Sequence, residues 1–295
     1  MDAWKFRWGV GQWAAFFENQ KLPVMLRSRQ MMTALEEERG ELLSPKELSD
    51  IVLQDPLLCV CLLRQAEHEK SHRLDNETTT ALAAIMQLGV DEFRSLLLSS
   101  PEIEEGNNCL LEVEARATLA AQIALRWAGG RMDLNPEELA VAALLADIGE
   151  LLICAFQPEL ARAAQEELIS GRAHRSSQAQ VQTLGFDFKQ LTMRCAELWQ
   201  LPSLVVQLLR GAESTRAQLT RIASNTARHI LDDSDTAMLA ITADLAEAHK
   251  LMPAVSMEWL IEELVMLPAD VRAELLARSC VASAEAANGD DQSGH

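Results

Sequence analysis

Apolar residues recur three and four positions apart along most of the chain, a spacing that places them on one face of an α-helix. Ala, Leu, Glu, Gln and Arg dominate these segments, and such residues lose little side-chain entropy in a helix. No run of alternating polar and apolar residues predicts a β-strand. The pattern therefore predicts an all-α protein made of many helices.

Start and stop signals set the predicted helix boundaries. The sequence Ser44-Pro45-Lys46-Glu47 is a capping box with proline at the first helical position, and Asn135-Pro136-Glu137-Glu138 repeats the combination of cap, proline and acid. Glycines fall where periodic segments end. The predicted helices cover residues 3–18, 24–36, 45–53, 56–69, 78–87, 91–99, 112–128, 136–154, 158–170, 174–183, 187–198, 202–211, 214–231, 236–250, 256–266 and 268–279.

Shifts in composition suggest how the chain is divided. An aromatic-rich helix over residues 1–18 precedes one domain over 19–281. A polar stretch near residue 100 divides that domain into an N-terminal lobe (19–100) and a second lobe (101–281). Residues 282–295 are small, polar and acidic, and we expect them to form a disordered tail.

Three tryptophans lie near one face of the first predicted helix: Trp4, Trp8 and Trp13. The favoured interpretation is that this helix packs on the protein's own core. The alternative is an anchor for a partner or a dimer, because tryptophan supplies a large buried area at interfaces.

Composition narrows the classes of function. The chain has 26 basic and 44 acidic residues and a formal net charge of −18, which would repel nucleic-acid phosphates and anionic membrane surfaces. We expect no membrane span, because no run of about 18 uncharged apolar residues is evident, and no secretory signal. The six cysteines form no CxxC pair; we expect reduced thiols and a cytoplasmic location.

The segment His68-Glu69-Lys70-Ser71-His72 satisfies the zinc-protease pattern H-E-x-x-H. Histidines four positions apart on a helix share a face and can bind zinc, with the glutamate as general base. However, the segment is charged throughout and continues into a polar stretch, and no third ligand suggests itself. A solvated helix end is the favoured interpretation.

A single carboxylate stands out in the most apolar part of the chain. Asp147 follows the run Ala143-Leu144-Leu145-Ala146 and precedes Ile148-Gly149. A carboxylate in such surroundings needs a metal, a helix cap or a cation as partner. We expect Asp147 to cap a helix or to pair with Arg116 or Arg194, and a weakly bound metal is the alternative.

This segment resembles the LLHDIG signature of the HD superfamily of metal-dependent phosphohydrolases, with Ala146 in place of the histidine. Further segments narrow the resemblance to the HDOD family, the HD-related output domains. They follow that family's order over about residues 20–230: Leu22-Pro23, Asp55-Pro56-Leu57, Leu62-Leu63-Arg64, Ala83 to Gly89, Leu184 to Asp187, and Trp199 to Pro202. The resemblance implies a multi-helix HD-like domain with an N-terminal helical lobe.

The chain departs from the superfamily at its metal-binding positions. Histidines are replaced by Arg116, Ala146, Phe188 and the pair Ala212-Glu213, and the final aspartate by Asn225. Asp147 alone survives, and one carboxylate does not hold a divalent ion firmly enough to displace its waters. We therefore expect no catalytic residue, no metal and no cofactor.

Two functions from different classes follow. The favoured one, implied by the resemblance, is a non-enzymatic signal-transduction module of a bacterial regulatory pathway that binds a protein partner. The alternative is a divergent metal-dependent phosphohydrolase that acts on nucleotides or cyclic dinucleotides. A weaker third hypothesis is nucleotide binding without turnover through Arg116, Arg126, Arg194 and Arg210. Neither nucleic acid nor a membrane is an expected partner, and the sequence leaves a homo-oligomer open.

Overall fold

The computed structural model describes residues 8–40, 42–69, 77–103, 106–211 and 213–290, with 280–290 described by their backbone alone. Over these residues the chain forms seventeen α-helices and no β-strand; one isolated bridge joins Val24 to Glu102. The predicted all-α fold is confirmed. Trp4 and His72 lie outside the described residues.

The first six helices span most of the predicted N-terminal part. They are α1 (Val10–Glu18), α2 (Leu26–Arg39), α3 (Pro45–Val52), α4 (Pro56–His68), α5 (Ala81–Leu88) and α6 (Val90–Ser99).

Eleven further helices follow. They are α7 (Asn108–Ala128), α8 (Pro136–Leu144), α9 (Ile148–Phe156), α10 (Pro158–Ile169), α11 (Ser176–Leu184), α12 (Phe188–Leu198), α13 (Ser203–Arg210), α14 (Thr215–Ile230), α15 (Ala237–Leu251), α16 (Met257–Glu262) and α17 (Ala269–Asp290).

Helix caps explain several of these boundaries. Ser44 and Glu47 form the predicted capping box at the start of α3. Asp55 accepts a hydrogen bond from the Leu58 amide at the start of α4. The same buried carboxylate accepts from the Met25 amide at 2.8 Å and the Ser28 hydroxyl at 2.8 Å. It therefore ties the beginning of α2 to the beginning of α4.

The larger hydrophobic core extends across the predicted boundary between the two lobes near residue 100. It runs continuously from Trp13 to Leu209 and includes side chains from both predicted lobes. A second core joins the later part of α7 to α14, α15 and α16. The two predicted lobes thus share one interior.

The first described helix packs on the protein's own core. Trp13 is only 1% exposed and stacks on Phe17, and Trp8 is partly buried with its ring 5.0 Å from that of Trp13. A side chain as deeply buried as Trp13 is not available to a partner. The hypothesis of a partner contact is therefore wrong for Trp13.

The predicted helix over 136–154 is two helices. Helix α8 ends at Leu144, the residues from Leu145 to Asp147 form a turn, and α9 begins at Ile148. Residues Pro136–Phe156 together are long and apolar enough to cross a membrane, by length and composition only. This segment is not the uncharged run of about 18 apolar residues whose absence was expected, because Asp147 and Glu150 interrupt it, and 72% of its apolar window is buried inside the protein.

Two further expectations need correction. The backbone of α17 is helical through Asp290, so the predicted disordered tail is wrong for 282–290.

Cys109 and Cys154 form a disulfide with their Cα atoms 5.6 Å apart, so they are not reduced thiols. Among the described residues, Cys59, Cys61 and Cys195 are free, and burial raises the pKa of the Cys61 and Cys195 thiols to about 12.

Candidate functional site

A cavity of about 600 Å³, here called the central cleft, lies where α7, α9, α12 and α14 meet. Arg116 reaches it from α7, Asp147 and Glu150 from the start of α9, and Arg228 from α14. Asp147 stands at the break after α8, where helix geometry is interrupted. The break places its carboxylate at the cleft instead of on the face of a continuous helix.

Arg116 joins both carboxylates of the central cleft. Its Nε donates to Oδ2 of Asp147 at 2.8 Å, and its Nη2 donates to Oε2 of Glu150 at 2.6 Å. The three side chains are 17%, 21% and 25% exposed, respectively. Charge-assisted hydrogen bonds of this length in a partly buried site hold a guanidinium firmly.

The electrostatics follow from burial and from this pairing. Burial alone would lower the pKa of Arg116, but attraction and hydrogen bonds from Asp147 and Glu150 raise it above its ordinary value. Burial raises the pKa of Glu150; Arg116 opposes that effect and the neighbouring Asp147 adds to it. Arg116 is therefore positively charged at any physiological pH.

A second arginine approaches more loosely. Nη2 of Arg228 lies 3.9 Å from Oδ1 of Asp147, and its side chain is 53% exposed. An ion pair this long and this exposed contributes little to stability. Asn225, which stands where the superfamily has its last aspartate, also lines the cleft, as does Phe188.

Close packing fixes α9 against α12. The Gly149 amide donates to Thr192 Oγ1 at 3.0 Å, and that hydroxyl donates to the Phe188 carbonyl at 3.1 Å. A Cβ at position 149 would collide with the Phe188 carbonyl and the Thr192 amide. Only glycine lets α9 approach α12 this closely, and this approach sets where Asp147 and Glu150 project.

The residues of the central cleft do not fit a divalent metal. Within the described part of the chain, no group of three or more His, Cys, Asp or Glu side chains is placed to hold an ion. The two carboxylates present already accept hydrogen bonds from Arg116. A metal would have to displace the partly buried Arg116 guanidinium to reach them, and it would find no imidazole among the described residues that line the cleft.

The other arginines considered from the sequence lie elsewhere. Arg194 and Arg210 both contact Glu197, at 3.5 and 3.2 Å, and Arg126 contacts Glu263 at 3.4 Å. None of the three lines the central cleft. Of the predicted partners of Asp147, the structure brings Arg116 to it and leaves Arg194 apart.

Sequence reasoning missed Arg228 and Glu150, both charged residues of the central cleft. For Glu150 a signal was present. It lies three positions after Asp147, a spacing that places two side chains on the same face of a helix. The resemblance directed attention to the HD positions and away from this neighbour. The spacing alone would have indicated a pair of carboxylates in need of a cation.

The H-E-x-x-H segment begins on the last turn of α4. His68 is exposed, and Glu69 caps the end of the helix and accepts from Gln65 Nε2 at 3.0 Å. His72, the second histidine of the H-E-x-x-H pattern, lies outside the described residues. The part that is described has the surroundings of a solvated helix end.

Two solved bacterial structures share this architecture. The MmoQ response regulator from Methylococcus capsulatus is 21% identical, with 83% of this chain and 98% of that chain aligned at a TM-score of 0.64. A virulence factor from Campylobacter jejuni, cj0248, is 14% identical, with 90% and 98% aligned at a TM-score of 0.69. No curated protein sequence matches this chain.

The strongest comparison concerns the sequence itself. Residues 23–214, about two thirds of the chain, match the HDOD domain. This range includes Arg116, Asp147 and Glu150, and it contains the segments from Asp55 to Pro202 that carry the resemblance. The chain therefore belongs to the HDOD family.

Proposed function

We propose that this chain is a non-enzymatic signal-transduction module that acts by binding another protein. One observation carries the proposal: the Arg116 guanidinium binds both carboxylates of the cleft in which HD enzymes hold their metal. The positive charge that a catalytic ion would supply comes instead from a side chain that cannot activate a water molecule.

The energetics favour this arrangement over metal binding. Displacement of Arg116 by an ion would break two charge-assisted hydrogen bonds and leave a mostly buried guanidinium without a partner. Removing one partner from a buried ion pair costs about 3–5 kcal/mol. The incoming ion would be bound by two carboxylates and no imidazole, which is a weak set of ligands for a catalytic divalent metal.

Three further points support a signalling role. Membership of the HDOD family fits it, as does the similarity in fold to a protein described as a response regulator. The net charge of −18 suits a partner with a basic face, because complementary potentials steer association.

A metal and activity assay tests the catalytic half of the proposal. Purified protein is incubated with Mn²⁺ or Fe²⁺, its metal content is measured after gel filtration, and hydrolysis of bis(4-nitrophenyl) phosphate and of a cyclic dinucleotide is followed. We expect substoichiometric metal and no hydrolysis above that of the Asp147→Asn variant. Stoichiometric metal with turnover that Asp147→Asn abolishes would establish the phosphohydrolase alternative.

Affinity capture tests the binding half. The full chain is used as bait in extract from the cells that express it, at low and at high salt. We expect a specific partner whose retention falls as salt rises, because exposed charges are screened beyond about 8 Å at physiological ionic strength. Failure to retain any protein at low salt would contradict the proposal.

A further inference from the structure

A second cavity, of about 510 Å³, lies apart from the central cleft and shares no lining residue with it. We call it the Arg64 cavity. It is bounded by the end of α1, by α4 and α6, and by the segment that follows α12. Its volume falls within the range of small-molecule sites in proteins, about 300–1,000 Å³.

Arg64 is the distinctive residue of this cavity. Its guanidinium lies 4.9 Å from the centre of the Trp199 ring, within the range of a cation–π contact. Its one hydrogen bond in the described structure is a long one, 3.3 Å, from Nη2 to the Glu18 carbonyl. Most of the five N–H donors of the guanidinium are therefore uncommitted.

The absence of a counter-charge sets Arg64 apart. The other partly buried arginines in the described ranges each have a carboxylate oxygen within 4.0 Å: Arg27, Arg29, Arg94, Arg116, Arg131, Arg216 and Arg272. Arg64 has no such carboxylate among the residues that the structure describes, although the chain contains 44 acidic residues. Burial also lowers the pKa of Arg64, and the nearby Cys61 and Glu18 only partly oppose this effect.

The Trp199 indole, which lies beneath Arg64, is held in an energetically unfavourable environment. Trp199 is 5% exposed, and its Nε1 is buried with no hydrogen-bond acceptor. A donor left in this state costs about 1–3 kcal/mol. The next residue, Gln200, has a φ of 52°, in the left-handed region that non-glycine residues seldom adopt. Nothing in the central cleft requires either feature.

The rest of the lining has mixed character. Lys21 and His68 add positive or protonatable groups near Arg64, and the acidic groups are Glu18 and Glu67. Glu67 is engaged by the Thr78 amide at 3.1 Å. The apolar part of the lining comes from Leu22, Cys61, Leu96 and Leu198.

We propose that the Arg64 cavity binds a small molecule that carries a carboxylate or phosphate group on an apolar or aromatic body. The anionic group meets the uncommitted donors of Arg64, whose planar fork matches two oxygens of such a group. The apolar body lies against the leucines of the lining. This inference does not depend on the proposed function, because it concerns a different cavity.

Simple probes test the proposal with the full chain. Benzoate and phenyl phosphate represent the two anionic groups on the same ring, and benzamide is the uncharged analogue. Binding is measured by ligand-observed NMR and by quenching of tryptophan fluorescence. We expect saturable binding of at least one anionic probe with a dissociation constant below about 5 mM, and at least tenfold weaker binding of benzamide. The preferred anion identifies the class of natural ligand.

Two Arg64 variants and one control variant locate the site. Arg64→Met keeps an unbranched stem over Trp199 but removes the charge, and we expect at least a tenfold loss of affinity for the anionic probe. The control, Arg228→Met, changes a cation of the central cleft and should leave affinity unchanged. Arg64→Lys, which keeps the charge without the planar donors, should show an intermediate loss and serves if Arg64→Met does not fold.

Three outcomes would overturn the proposal. They are no saturable binding of either anion to the wild-type chain, equal affinities of the wild-type chain and the Arg64 variants, and loss of binding in Arg228→Met alone. The last result would place the anion in the central cleft. None of these results bears on whether the chain hydrolyses phosphodiesters or binds a protein.

Discussion

At the scale of single residues, Arg116 determines the chemistry of the central cleft. A guanidinium keeps its charge under all physiological conditions, so it neutralises two neighbouring carboxylates permanently. A metal ion would do the same only when bound. The central cleft thus holds two carboxylates that already have a fixed side-chain cation as their partner.

The first prediction concerns loss of that cation. Arg116→Met leaves Asp147 and Glu150 with only the distant, exposed Arg228 as a counter-charge, and we expect it to lower the free energy of unfolding by about 3 kcal/mol at neutral pH. Urea denaturation followed by circular dichroism measures the change. The control is Arg116→Met combined with Asp147→Asn and Glu150→Gln, which should recover most of the loss.

The stability of the Arg116→Met variant should also depend on pH. Burial already raises the pKa of Glu150, and removal of Arg116 removes the attraction that opposes it, so the pKa rises further. Between the unfolded value of about 4.3 and this raised value, the folded protein binds a proton that the unfolded chain does not. The free energy of unfolding must therefore fall as pH rises through this window. A destabilisation that is equal at pH 5 and pH 8 would contradict this account.

At the scale of helices, the sequence predicted much but not the position of the critical break. Helices such as α3 and α4 begin where their caps and prolines indicate, because these signals are local. The break between α8 and α9 has no such signal, since Leu145 and Ala146 are good helix formers. Tertiary packing places it, and Asp147 gains its position from it.

The contact between α9 and α12 gives the second prediction. Gly149→Ala places a methyl group against the Phe188 carbonyl and the Thr192 amide, both backbone groups that cannot rotate away. We expect a loss of about 2–3 kcal/mol of unfolding free energy, as for other overpacked sites. Thermal denaturation measures it.

A matched control exists in α1. A Cβ at Gly11 meets no atom within 4 Å, and alanine is the better helix former by about 1 kcal/mol. Gly11→Ala should therefore leave stability unchanged or raise it. If both glycine variants behave alike, the close approach of α9 to α12 does not restrict position 149.

At the scale of the whole molecule, the sequence predicted the all-α class and the HDOD family, but not how distant parts are joined. The two hydrophobic cores, and the joining of both predicted lobes in the larger one, depend on long-range packing. The disulfide also escaped prediction, because cysteines 45 residues apart give no spacing signal. Its presence removes the cysteine-based reason for expecting a cytoplasmic location.

The disulfide has a consequence for the central cleft. Cys109 lies two turns before Arg116 on α7, and Cys154 lies one turn after Glu150 on α9, so the bond clamps together the two helices that carry the ion pairs. A cross-link that closes a loop of 45 residues stabilises a fold by about 3–4 kcal/mol, mainly by restricting the unfolded chain.

The third prediction follows from this clamp. Reduction with dithiothreitol should lower the free energy of unfolding by about 3 kcal/mol, measured by urea denaturation with and without reductant. The Cys109→Ser/Cys154→Ser variant should resemble the reduced protein and be insensitive to reductant. Dithiothreitol leaves the free cysteines unchanged, because their thiols are already reduced. The loss of unfolding free energy should therefore come from cleavage of the disulfide. Coincident denaturation curves for oxidised and reduced wild-type protein would show that α7 and α9 are held by packing and by Arg116 without help from the cross-link.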